Sequence, residues 1–202
     1  MQINEFWTWF AQNERNIRIA LSQHDETPGN VIEHLFAKLD AFSPPITCEV
    51  RKCPSPKKYR LTISAWGNPD AYILVTSVVA LSPKIPQWTI KAFIKPFKNF
   101  DKLMSRPYKL YGLNIVPNTV YFSVCAADYD REIYDLILLL PLSVNSQPEN
   151  ILQSYFYNLF LDLWGEKYIT SRINHIKFTF HRNHQFHFID FEAIGALDYF
   201  KI

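Results

Sequence analysis

Twice in this chain, two short strand-like stretches are followed by a helical stripe and then by another strand-like stretch. In the first instance, Tyr59, Leu61, Ile63 and Ala65 alternate with Arg60, Thr62 and Ser64, behind a short apolar stretch from Ile46 to Val50. Such alternation puts one face of a strand on a core and the other toward solvent. Gly67 ends that strand. Asn68-Pro69 then starts a helix, an Asn cap with Pro at the first position, and Tyr72, Val75, Val78 and Val79 form its inner face. Trp88 to Lys95 alternates again. In the second instance, Val120, Phe122 and Val124 alternate, and Ile133 to Leu140 is nearly all apolar, which predicts a central strand covered on both faces. Ser146-Gln147-Pro148-Glu149 reads as a capping box ahead of a helix carrying Leu152, Tyr155, Phe156, Leu159, Phe160 and Leu163. Gly165 ends that helix. Strands are predicted over Ile173 to His181 and over Gln185 to Ile189.

Two helices precede these units. Phe6, Phe10, Ile17 and Leu21 fall at helical spacing over Ile3 to Leu21. Thr27-Pro28 opens a second helix that runs to Ala41 before Pro44-Pro45 stops it. The expected fold is α+β: antiparallel sheets from two β-β-α-β units, helices packed on one face, and an N-terminal helical pair. At 202 residues, 48% hydrophobic and with only 5 glycines, the chain suits one domain over 1–202. Its expected pseudo-halves are 1–105 and 106–202, joined by the Pro- and Lys-containing stretch Lys95 to Arg106.

Targeting signals are not visible. The N-terminus has an acid and no basic segment before an apolar run. The longest apolar run, Leu136 to Leu142, contains a proline and falls far short of the roughly 20 residues of a membrane helix. Cys48, Cys53 and Cys125 form no C-x-x-C pair and fit a reducing compartment. A cytoplasmic location and no membrane partner are therefore expected.

Short matching pieces are scattered along the chain. They are Phe6-Trp7-x-Trp9-Phe10, Ile63-Ser64-Ala65-x-Gly67-Asn68, Pro83-x-Ile85-x-x-Trp88, Ala92-Phe93-x-x-Pro96 and Leu161-Asp162-x-x-Gly165-Glu166. In these pieces the chain resembles a family of uncharacterised bacterial proteins, a domain of unknown function. The resemblance implies no activity and no catalytic residues.

Charge is unevenly distributed. Arg51 to Lys109 holds twelve basic residues against Asp70 and Asp101, a net +10, whereas the whole chain is +2 and the remainder −8. Aromatics interleave with the lysines, so this segment is a candidate nucleic-acid surface, since cations hold phosphates and aromatics stack bases. The competing readings are a solvated sheet edge guarded by lysines and self-association of a basic with an acidic face. Arg60, Trp66, Lys91 and Lys95 are the candidate binding residues. His181-x-x-His184-x-x-His187 near Asp190 invites a metal, but a hairpin with its turn at Arg182-Asn183 would not converge them. Asp128-x-Asp130-x-Glu132 lacks the later Glu of a calcium loop, and Asp162 with Glu166 lacks a partner for acid–base work. No G-x-S-x-G, G-x-G-x-x-G or P-loop is present. These absences point to no metal, no cofactor and no assigned catalytic residue. The leading expectation is a non-enzymatic binding or interaction module that self-associates or binds a protein; a hydrolase or nuclease-like enzyme and a nucleic-acid binder are the alternatives.

Overall fold

The alternation over residues 59–64 becomes β2 (Tyr59–Ser64), and its apolar members Leu61 and Ile63 are fully buried. In the computed structural model, which describes residues 1–22, 30–53 and 58–199, β2 lies at the centre of a three-stranded sheet. β1 (Thr47–Lys52) pairs with it antiparallel and β3 (Trp88–Ala92) parallel. The β2–β3 crossover runs through a 3-10 turn at Pro69–Ala71 and helix α3 (Tyr72–Ala80). Asn68 caps that turn as expected, its Oδ1 accepting from Asp70 N at 3.1 Å. Helices α1 (Ile3–Ala20) and α2 (Asn30–Asp40) complete the unit. The expected Thr27-Pro28 start of α2 lies outside the described residues. Phe6, Phe10 and Ile17 of α1, Leu35 and Leu39 of α2, and Val75 and Val78 of α3 share one core with the inner sheet face. Polar contacts pin α1 within this unit: Trp7 Nε1 donates to Val78 O at 2.8 Å, and Trp88 Nε1 donates to Glu14 at 2.9 Å.

The chain divides into two compact units, Met1–Ile94 and Lys95–Ile202, so the division falls at Lys95, ahead of residue 105. The second unit begins with α4 (Phe100–Met104) and a small hairpin, β4 (Tyr108–Leu110) and β5 (Leu113–Ile115). Its four-stranded sheet runs in the order β8-β7-β6-β9: β6 (Tyr121–Asp128), β7 (Ile133–Leu139), β8 (Ile173–Thr179) and β9 (Ile189–Asp190). β6 and β7 pair antiparallel, β7 and β8 parallel, and α5 (Glu149–Trp164) with α6 (Glu166–Arg172) makes the crossover. Gly165 ends α5 with φ 84° and ψ 157°, a conformation essentially restricted to glycine. A 3-10 segment, Phe191–Tyr199, closes the described chain.

The architecture is α+β, with two units that share the order strand–strand–helix–strand. Several details differ from expectation. The three- and four-stranded sheets are mixed rather than antiparallel, because a helix separating two strands returns the chain in the same direction. β7 is covered on one face only: Tyr134, Leu136 and Leu138 are buried and the alternate residues are half-buried. The outer face carries Asp135, which accepts from Asn174 Nδ2 at 3.0 Å, and a carboxylate does not enter a dry layer cheaply. The Ser146–Glu149 capping box does not form; α5 starts after Pro148 with no side-chain cap. The strand expected over Gln185–Ile189 shrinks to Ile189–Asp190.

Candidate functional site

α3 has the least usual surface among the described helices. Residues 71–83 contain no charged side chain. A helix apolar all round is normally buried, yet Ile73 is 82% exposed and Leu81, which caps the helix, is 58% exposed. Two of the hydroxyls on this stretch, those of Thr76 and Ser77, turn inward on their own helix. Thr76 Oγ1 donates to Tyr72 O at 2.9 Å and Ser77 Oγ to Ile73 O at 2.8 Å. Such back-bonding uses up the donors of Thr76 and Ser77, so around Ile73 the face behaves as apolar despite these two polar residues. Open grooves flank Leu81 on both sides, and neither is lined by a charged side chain. One runs along Gln2, Ile3 and Phe42, the other along Asn4, Thr8, Ala11 and Pro83. Sequence reading placed Val75 and Val78 on the inner face correctly but overlooked Ile73 and Leu81. The charge-free run from Ala71 to Pro83 was the available signal.

Of the four candidate binding residues, strand pairing places two together. Arg60 and Lys91 share the outer face of the first sheet, where Arg60 stands between Arg51 and Thr89, and Lys91 lies beside Thr62. Arg51 forms an ion pair with Glu49 on the same face, which offsets the like-charge contact with Arg60. Trp66 lies beyond the carboxyl end of β2, several residues along the strand from Arg60. Lys95 opens the second unit. The basic segment is likewise divided: seven of its twelve cations fall in the first unit and five in the second. With all residues counted, the first unit holds ten basic and eight acidic side chains, net +2, and the second eleven of each, net 0. The +10 excess therefore belongs to an interval of sequence and to neither unit.

Trp66 does help to form a groove of about 490 Å³ within the first unit, together with Phe36, Asp40, Pro45, Ile46, Thr47, Cys48, Ala65 and Asn68. Burial holds the Cys48 thiol neutral, its pKa pushed up to about 12 with a smaller contribution from Glu49. It serves as wall rather than as a nucleophile.

The carboxylates and histidines occupy separate elements. Asp162, on α5, accepts from Tyr108 Oη at 3.0 Å, and its backbone carbonyl accepts from Phe97 N at 2.6 Å. Glu166 is fully buried in the first turn of α6, a position where the helix dipole favours a carboxylate. His181, His184 and His187 are all exposed, and none lies in a strand, because β8 stops at Thr179 and β9 starts at Ile189. Asp128 accepts from Arg131 N at 3.1 Å, which makes the acidic stretch a turn. Among the described residues, no three His, Cys, Asp or Glu side chains gather as a metal set, and no helix is long and apolar enough to cross a membrane. Compared with known families, curated proteins and solved structures, the chain matches none.

Proposed function

We propose that this protein is a non-enzymatic interaction module that self-associates through the outer face of α3. The observation that carries the reading is Ile73, a large aliphatic side chain 82% exposed on a helix without charge. Fully burying one such side chain contributes about 1.5–3 kcal/mol, and a two-fold pairing brings two copies of the same patch together. A second copy suits the face for two reasons. A surface without charge meets no like-charge repulsion when it packs on itself. Thr76 and Ser77 already have their hydrogen bonds, so covering them strands no donor. Thr76, Ser77 and Ala80 are also small enough to let two helices approach closely.

Sedimentation velocity across a wide concentration range tests this. The wild-type chain is expected to dimerise reversibly, with little dependence on salt, because apolar burial is not screened. Ile73→Asp is expected to be monomeric throughout while its stability stays within about 0.5 kcal/mol of wild type, as for exposed positions generally. A wild-type chain that stays monomeric at every concentration, or dimers that survive Ile73→Asp, would remove the reading.

A further inference from the structure

The outer face of the first sheet keeps two positive charges uncompensated. Leu61 and Ile63 of β2 lie in the core, so strand alternation puts Arg60, Thr62 and Ser64 on the other side. Register then fixes their neighbours. Arg60 stands between Arg51 of β1 and Thr89 of β3, and Thr62 between Glu49 and Lys91. Three cations and one carboxylate therefore share the face, and Glu49 is engaged in its ion pair with Arg51. Arg60 and Lys91 have no ion pair among the described residues, whereas Arg18, Arg131 and Arg172 each have one. Both are exposed. They are diagonal neighbours across β2 and β3, about 7–8 Å apart, and long side chains at that spacing can reach one bound group. Like charges facing one another in a sheet destabilise it, and Arg60 has one cation directly opposite and another on the diagonal. An anion held between them offsets that repulsion.

We infer that this face binds a phosphate monoester. The charge count selects the class. Two uncompensated cations match a dianion, and a phosphate monoester carries about −1.5 to −2 at pH 7. A carboxylate or a phosphodiester carries a single charge and leaves one cation unmatched. The donors fit as well. The Arg60 guanidinium forks onto two oxygens of a phosphate, and Lys91 meets it as a point charge. Thr62 and Thr89 complete a block of four neighbouring positions in which every side chain has a donor and none is acidic. A single-stranded nucleic acid fits less well, because its bases need aromatic faces to stack on. The outer positions of β1, β2 and β3 hold no aromatic side chain. The inference is independent of self-association through α3.

Two-dimensional NMR of the full chain tests it, with methyl phosphate, dimethyl phosphate and a single-stranded oligonucleotide without a terminal phosphate as probes. Methyl phosphate is expected to shift the amide signals of Arg60, Thr62, Thr89 and Lys91. It should bind about fivefold tighter than dimethyl phosphate, the factor that one further charge contributes at about 4 Å in water. Lys91→Gln should bring the two phosphates to within about twofold of each other, while Glu49→Gln should strengthen both. Signals away from this face report that each variant is folded. A phosphoserine peptide separates the sources of the monoester: binding tighter than methyl phosphate assigns the site to a phosphorylated partner chain, and equal binding to a small phosphorylated molecule. Equal affinity of the two phosphates in the wild-type chain, or a Lys91→Gln variant that discriminates as before, overturns the dianion class. An oligonucleotide that binds tighter than methyl phosphate overturns the monoester in favour of nucleic acid. No shift at these four residues with any phosphate overturns the site.

Discussion

The two units build the same strand–strand–helix–strand order and finish it differently. In the second, α5 has a sheet on one side and a further layer on the other. Phe156 meets Phe178 of the sheet at 5.6 Å and Phe191 of the closing 3-10 segment at 6.1 Å. Tyr155 Oη donates to Tyr108 O at 2.7 Å and accepts from Ile115 N at 3.2 Å, which ties the helix to the β4–β5 hairpin. Trp164 meets Phe160 and Phe191 edge to face. In the first unit, α3 carries no charge at all, whereas α5 carries Glu149 and Asp162, yet α3 has only its inner side covered, by the sheet core. An apolar helix with two covering layers is architecture; an apolar helix with one is a surface awaiting a second, and that difference motivates the proposed interface.

The comparison breaks most readily at Phe156. Phe156→Ala is expected to cost about 3–5 kcal/mol, because it removes a fully buried ring and leaves a cavity; urea unfolding would show it, and a cost below that of an ordinary surface change would refute the doubly covered reading of α5. Tyr155→Phe tests the second layer more finely. It leaves Ile115 N without its tyrosine partner, at about 1–3 kcal/mol. Hydrogen exchange should quicken at Ile115 and across the hairpin, and unchanged protection there would mean the hairpin is held by other contacts. The smallest effect lies in the first unit, where α1 is pinned by a charge. Arg18 first, and Trp88 less strongly, hold the Glu14 carboxyl below its ordinary value of 4.5, partly offset by burial. The folded state therefore binds this proton less readily than the unfolded state. Its stabilising contribution is complete above about pH 4.5 and is lost as pH falls through the lowered folded value. Glu14→Gln should flatten that part of an acid-unfolding profile; an unaltered profile would show that the pair adds nothing.

Much of this was legible in the residues. Tyr59, Leu61 and Ile63 announced β2, Asn68-Pro69 announced the start of the crossover, and Gly165 the end of α5. The β4–β5 hairpin was not legible, because three-residue strands such as Tyr108–Leu110 and Leu113–Ile115 are too short for a period to show. Ser146 and Glu149 carried a capping signature that Pro148 overrode by taking the cap position itself. Arg60 and Lys91 stood out as basic positions in the sequence, but that they share one sheet face follows from strand pairing, which no local pattern records.

By itself the sequence determined the order strand–strand–helix–strand in both units, since periods of two and of 3.6 are local properties of the backbone. It also determined that residues 71–83 carry no charge. Only the tertiary structure decided that the three- and four-stranded sheets are mixed, that β7 is covered on one face, and that Ile73 faces solvent while the apolar side chains of α5 such as Phe156 and Phe160 are buried. Those are questions of which surface lies against which, and coverage is contributed by residues distant in the chain, such as Tyr108 and Phe191, whose approach to α5 no local pattern records.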